Sequence, residues 1–414
     1  MKKQNVEIMA PAGGFDSMMA AIQGGANSIY FGVEQLNMRA RATMNFGLED
    51  IKEVAETCRQ HNVRTYITLN TIIYDHDLTV VKTIVNAAKE AGITAIIAAD
   101  QAVIAYARSV GMEVHISTQV NVTNIETVKF YSLFCDTIVL ARELSLTQVK
   151  KITDAIEHEQ IKGPSGRLIE IEIFVHGALC MAVSGKCYLS LHTHNSSANR
   201  GACIQNCRRT YKVIDEEEGY ELKIDNEYIM SAQDLCTIEF IDQVIDSGVT
   251  VLKIEGRGKG PEYVKTVTEC YREAADAYFE GTFTAEKAKV WKDKMEQVFN
   301  RGFWSGYYLG QELGEWTDTS GSKAKMRKVY IGKGNKYFAK IGVAEFQIEA
   351  HNLSVGDSVL ITGPTTGLIE TLVEEIHTEN GAVSQAVKGD ICSIKLDKPI
   401  RKSDKLYKLV SAAE

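Results

Sequence analysis

Along the first 260 residues one pattern recurs. A short run of β-branched and other apolar residues ends in small or polar ones, and an amphipathic stretch of helical period follows. The runs are Val6–Ala10, Ser28–Val33, Thr65–Asn70, Ala95–Asp100, Glu113–Gln119, Thr137–Arg142, Ile171–His176 and Val251–Glu255. The spacing predicts helices between them, among others at Leu48–His61, Leu78–Ala91, Gln101–Val110, Ile125–Leu133 and Leu146–Ile156. Gly92 and Gly111 sit where a left-handed residue closes a helix. The runs are apolar nearly throughout rather than alternating, the mark of parallel strands covered on both faces. Eight β–α units in succession predict an α/β chain of the closed (β/α)8, TIM-like type rather than an open doubly wound sheet.

One unit departs from the pattern. Between the seventh and eighth runs, Gly177 to Thr250, only Asp234–Ser247 reads as helix, with Gly248 closing it. The rest holds a cluster of cysteines (177–236) and a predicted hairpin of Arg209–Ile214 with Tyr220–Ile224. An insertion of this length on a barrel loop is usually functional. After the eighth run come helices at Pro261–Phe279 and Ala285–Asn300, and Gly321-Ser322-Lys323 reads as a linker. Beyond it the periodicity turns to short strands at Met326–Gly332, Tyr337–Val343, Glu345–Ile348, Asp357–Ile361, Ile369–Ile376, Asp390–Lys395 and Leu406–Val410. The expectation is therefore a barrel domain over 1–320 and a small C-terminal β-barrel domain over 325–414.

Composition adds three constraints. The N-terminus lacks the apolar core of a signal peptide, and no apolar run is long enough to span a membrane, so a cytoplasmic location without membrane contact is expected. In a reducing compartment the nine cysteines are thiols or metal ligands rather than disulfides. The net charge of −8 argues against a generally basic nucleic-acid binder, yet Gly321–Lys340 carries seven Lys or Arg and no acid. Such a stretch is either a local phosphate-binding surface or a solvated linker.

The cysteines are unevenly spread. Cys180, Cys187, Cys203 and Cys207 fall close together and Cys236 follows, in the spacing C-x6-C-x15-C-x3-C-x28-C. Thiolates in this number complete a zinc site or an iron–sulfur cluster. The absence of paired C-x2-C knuckles, and a first ligand three residues beyond the seventh strand, favour the cluster. Barrel enzymes place their chemistry at the C-terminal strand ends. Here those ends offer Arg39 and Asn45, Asn70, Asp100, Gln119 and Asn121, Arg142 and Glu143, His176, and Glu255 with Arg257. Several arginines facing one cavity suit a substrate with more than one carboxylate. Gly256-Arg257-Gly258-Lys259-Gly260-Pro261 opens a helix and forms a candidate anion loop, as does Ala10-Pro11-Ala12-Gly13-Gly14. No H-E-x-x-H, G-x-S-x-G or Walker loop is present, nor the C-x3-C-x2-C of most radical enzymes that use S-adenosylmethionine, because Thr210 stands at its last position.

The segment Glu172–Ser190, with its core His176-Gly177-Ala178-Leu179-Cys180, closely resembles the signature of peptidase family U32, the collagenase-like proteases. Asn199–Arg209, Glu7–Gly13 and Ser231–Cys236 match the same family, and the C-terminal segment looks like a β-domain of translation elongation factor Tu. Several members of the family look like oxygen-independent hydroxylases with a [4Fe–4S] cluster. The length and C-terminal domain here are most similar to the branch that acts on the wobble uridine of tRNA, with prephenate as co-substrate and 5-hydroxyuridine as product. The resemblance implies Cys180, Cys187 and Cys203 as cluster ligands, with Cys207 or Cys236 as the fourth. Cys236 is preferred because Cys207 crowds Cys203. The same resemblance implies tRNA and the dicarboxylate prephenate as partners, and leaves a protein partner or a second copy of the chain open. Two other readings carry different chemistry: a peptidase whose Cys180 is activated by His176, and a non-catalytic RNA-binding factor with structural zinc.

Overall fold

The computed structural model of the protein describes residues 6–40, 45–219, 221–222, 230–310, 314–318 and 321–412. Seven parallel strands, β1 (Glu7–Pro11), β2 (Ser28–Phe31), β3 (Arg64–Leu69), β4 (Ala95–Ala98), β5 (Glu113–Ile116), β6 (Thr137–Val139) and β7 (Glu170–Ala178), pair in chain order. Two short insertion strands, β8 (Val213–Ile214) and β9 (Glu221–Leu222), form the expected hairpin, though Tyr220 and 223–224 lie outside the described residues. They are followed by β10 (Asp234–Cys236) and β11 (Val251–Ile254). β11 pairs in parallel with both β7 and β1, closing an eight-stranded barrel. Helices α1 (Phe15–Gln23), α2 (Ile51–Gln60), α3 (Leu78–Ala91), α4 (Gln101–Ser109), α5 (Ile125–Ser132) and α6 (Leu146–Glu159) alternate with the strands. Their apolar faces and the strands share one continuous core. This is the TIM-like architecture that eight apolar runs predict.

The barrel interior is not uniformly apolar. Glu172 of β7 and Lys253 of β11 form a buried ion pair at 2.6 Å, and His115 of β5 lies 4.0 Å from the same carboxylate. The Tyr66 ring packs 4.6 Å from His115 and donates its hydroxyl to Glu7 at 2.9 Å. A buried charge is tolerated only when paired in this way.

The insertion departs from its predicted secondary structure. Asp234–Cys236 is a strand, not the start of a helix: β10 lies antiparallel to β7, with Cys236 opposite His176. The Thr237 N–H bonds the Val175 carbonyl, so a partner strand takes the hydrogen bonds that a helix would have used. Helix begins only at α8 (Ile241–Asp246), after the short α7 (Leu189–His194) and the cysteine loops. Two arginines pin the insertion down. Arg208 donates to the Leu179 carbonyl at 2.6 Å and to Ser231 Oγ at 3.1 Å. Arg200 donates to the Ile72 carbonyl at 2.7 Å, pairs with Asp77 and stacks 4.3 Å over Tyr74.

After α9 (Pro261–Phe279), α10 (Ala285–Met295) and β12 (Phe303–Trp304), the chain enters an antiparallel β-domain with its own core. Met326–Phe338 (β13) is a single long strand, whereas two strands broken before Tyr337 were expected. Residues 339–342 are the turn into β14 (Val343–Ile348), so Tyr337–Val343 is not a strand. Register shifts near Gly332 and Gly334 let β13 bend between β14 and the last strand. The β-domain sits on α1 and α9. Both ends of the Gln23 carboxamide bond backbone atoms of its Thr366–Leu368 turn, at 2.9 and 3.0 Å, and Lys265 pairs with Glu370 at 2.8 Å. Among the described residues no helix is long and apolar enough to cross a membrane.

Candidate active site at the barrel mouth

A cavity of ≈ 810 Å³ opens at the C-terminal ends of the strands, roofed by the insertion. Of the residues expected there, Arg39, Asn70, Gln119, Arg142, Glu255 and Arg257 all line it. So do Cys180, Cys187, Cys203 and Cys207, the first exposed and the others half-buried. Lys253, Arg301, Arg208 and Lys186, which sequence reasoning missed, and Lys259 of the glycine loop bring the cationic side chains among the described residues to eight, against the single carboxylate of Glu255. Lys259 stands in the glycine loop after β11, so its place in that motif was the available signal. The others lie on elements whose inward faces the spacing does not reveal.

Glu255 is the centre of this charge. Burial would raise its carboxyl, but Arg39, Lys259 and Arg142 outweigh that and hold it at about 2. Arg39 reaches it from the loop after β2, with Nη2 donating to Oε1 at 2.8 Å. Burial lowers Lys259 to about 8, with Arg301 adding to the effect. Burial also brings Arg257 down to about 10, where its guanidinium donates to Thr68 Oγ1 at 3.0 Å. Arg142 is fixed by a 2.9 Å bond to the Ala178 carbonyl and by the Phe174 ring, 3.9 Å away. Gly177 lets β7 pass this close. Its φ is +104°, and a Cβ there would stand 2.5 Å from the Glu255 carbonyl.

Asn45, Asp100 and Asn121 do not line this cavity, and three further expected residues, His176, Glu143 and Cys236, are elsewhere. His176 is buried in the helix layer between Tyr263, Tyr271 and Phe303, with ring centroids 5.5 to 5.9 Å away. A bulge against β11 shifts the register just before it, which turns its ring out of the barrel. Burial brings its imidazole down to about 3, so it is neutral. Glu143 is exposed, outside the cavity. Cys236 is buried on the far side of β10, bonded to the Tyr271 hydroxyl and facing α10. Burial pushes its thiol up to about 12. The structure thus groups Cys207, not Cys236, with the other three thiols. Burial raises the Cys207 thiol, Arg208 opposes that, and Cys180, Cys203 and Cys187 are near enough to be felt.

The chemistry of these four thiols fits the ligand set of an iron–sulfur cluster. Among the described residues no three His, Cys, Asp or Glu side chains converge on a single metal position. A tetrahedral zinc site needs its sulfurs all within about 2.3 Å of one ion, whereas a cluster gives each thiolate its own iron. Arg39, which feels Cys180 and Cys203, and Arg208 beside Cys207 supply positive charge for an anionic cluster. Of the two histidines of α7, His192 lines the cavity, while His194 is exposed and bonds Thr193 Oγ1 at 2.8 Å. The two loops proposed for anions are helix starts already near acids, Asp16 in α1 and Glu262 in α9. The basic stretch 321–340 is largely neutralised, with Lys323, Lys325, Lys328 and Lys333 paired to Asp318, Glu296, Glu262 and Glu349.

Residues 13–318 match the model of peptidase family U32. A protein named collagenase from Porphyromonas gingivalis is 55% identical over 99% of both chains. The tRNA hydroxylation protein P1 of Bacillus subtilis is 30% identical over 97% of this chain and 94% of its own. The 23S rRNA 5-hydroxycytidine C2501 synthase of Escherichia coli is 31% identical over 76% of this chain and 47% of its own. With its barrel, its thiol-lined mouth and these relatives, the chain belongs to peptidase family U32.

Proposed function

We propose that this protein hydroxylates C5 of the wobble uridine of tRNA, with prephenate supplying the hydroxyl and a [4Fe–4S] cluster on Cys180, Cys187, Cys203 and Cys207. The observation that carries this reading is one cavity that joins four thiols to eight cations and a single carboxylate. A dianion fits such a site, and a neutral peptide does not call for it. The RNA-hydroxylating relatives supply the reaction class.

Arg142, Arg257 and Lys259 are the groups placed to hold the two carboxylates of prephenate. Arg39 is engaged with Glu255 and keeps that carboxylate ionised, so Glu255 orients the cavity cations rather than donating a proton. Lys259, at about 8, is the cavity cation best able to give and recover a proton near neutral pH. The insertion covers part of the mouth and brings Cys180, Cys187, Cys203 and Cys207 to its wall. When bound, the cluster would supply redox or Lewis-acid chemistry at the cavity wall.

The name of the 55% identical relative favours a second reading, peptide hydrolysis. The pair that reading needs is not assembled, because Cys180 lines the cavity while His176 is buried in the helix layer. Digestion of gelatin by wild type and Cys180→Ser protein separates the two. The direct test is the 5-hydroxyuridine content of tRNA from a strain lacking the gene. Loss, with restoration by the wild-type gene, is expected, and an unchanged level sinks the proposal.

A further inference from the structure

Beside the main cavity lies a second one of ≈ 320 Å³, beneath the insertion at the ends of β3, β4 and β5. The two share Asn70, Gln119 and Cys187 as a common wall. Their chemistry differs. The smaller cavity carries less charge: Lys186 on the shared wall is its one cation among the described residues, and the Asp100 carboxylate is engaged by the backbone N–H groups of Ile73 and Ala102 at 3.0 and 2.9 Å. Tyr131 and Tyr188 bring aromatic surface to its lining.

The shared wall carries an unspent hydrogen-bond edge. Gln119 Oε1 is buried and has no partner among the described residues. Asn70 is oriented by its neighbours, since its Oδ1 accepts from the Met38 N–H at 3.3 Å and its Nδ2 donates to Ser117 Oγ at 3.2 Å. One amide proton of Asn70 therefore remains to be donated. Gly185 packs directly on Gln119: its φ is +73°, and a Cβ there would stand 2.6 Å from Oε1. A buried acceptor without a partner is costly unless a ligand completes it.

We propose that the smaller cavity receives the pyrimidine base of the RNA, with Gln119 Oε1 and the Asn70 amide bonding its polar edge, while the cationic cavity takes the dianion. A flat, uncharged heterocycle with adjacent donor and acceptor groups matches the amide wall, and the tyrosines offer stacking surface of the kind used for unstacked bases. The shared wall brings the two substrates side by side at Cys187. This inference rests on the RNA-hydroxylase reading and assigns its second substrate a place.

The test uses uridine, which has no phosphate to drive it into the cationic cavity, and the anaerobically purified full chain. Saturation transfer to the uracil ring protons is measured for wild type, Gln119→Leu and Gln119→Glu, with prephenate binding as a check on folding. Uridine binding about tenfold weaker in Gln119→Leu and recovered in Gln119→Glu, with prephenate binding unchanged in Gln119→Leu, is expected. Excess prephenate should leave the uridine signal in place. Absence of transfer in the wild type, equal transfer in Gln119→Leu, or displacement by prephenate each overturns the assignment. If uridine binds as expected but tRNA from the deletion strain keeps its 5-hydroxyuridine, the subsite stands and the hydroxylase reading falls.

Discussion

Arg39 and Glu255 meet across the barrel mouth at 2.8 Å, one from the loop after β2 and the other from the end of β11. The contact ties together two chain segments far apart in sequence and sets the charge of the cavity. Removing the cation leaves a buried carboxylate held by its remaining cationic neighbours, among them Lys259, Arg142 and Arg257. Arg39→Ala should lower stability by about 2–4 kcal/mol in urea unfolding at neutral pH. The acid limb should move as well. A depressed carboxylate contributes stability that is present above its ordinary value and lost as pH falls towards about 2. In Arg39→Ala the loss should still begin at the ordinary carboxylate pKa, but it should end at higher pH and be smaller.

His176 gives the opposite kind of prediction. It is neutral and buried, so the unfolded chain takes up a proton below its ordinary pKa while the folded chain refuses one until about 3. Stability should be fully present above about 6.5 and fall by about 1.4 kcal/mol per pH unit below it. His176→Phe should remove this limb and leave binding in the cavity unchanged. A variant that kept the limb would assign it to another group.

Lys259 should make dianion binding pH-dependent. Its charge is present below about 8 and lost above it, so prephenate affinity should be flat at neutral pH and weaken as pH rises through 8. Lys259→Met should bind prephenate more weakly at pH 7 and show no such fall. Titration calorimetry across pH 6.5–9.5 reads both.

The thiols divide in the same way. Cys207→Ser should lose most of the iron and sulfide of anaerobically purified protein. Cys236→Ala should keep both, at a cost of about 1 kcal/mol in stability from the small void beside Tyr271. Equal iron loss in the two variants would remove Cys207 from the ligand set.

Arg39, Arg142, Glu255 and Arg257 were legible in the sequence because a parallel barrel delivers the residues just beyond each strand to one rim. His176 obeyed the same rule and was misplaced. One bulge turns a strand over, and the sequence carries no mark of it beyond Gly177. Cys236 was misplaced because spacing along the chain says nothing about which face of β10 a side chain takes. The cations Lys253 and Arg301 were invisible for a related reason. The first looks like a strand interruption until Glu172 is seen opposite, and the second lies beyond the barrel strands altogether. The β-domain was legible as a run of short strands but not in their number or extent: seven were expected, ten are found among the described residues, and the bend in β13 reads as a break.

The pair Glu172–Lys253 has a consequence for inheritance. Glu172 alone would be a charge shut inside the barrel, and Lys253 alone would be a buried cation at the cavity floor without its counter-ion. A lineage that exchanges one must pass through a protein that folds poorly, so the two positions are expected to drift only as a unit. Among U32 sequences they should be read as one character with two letters.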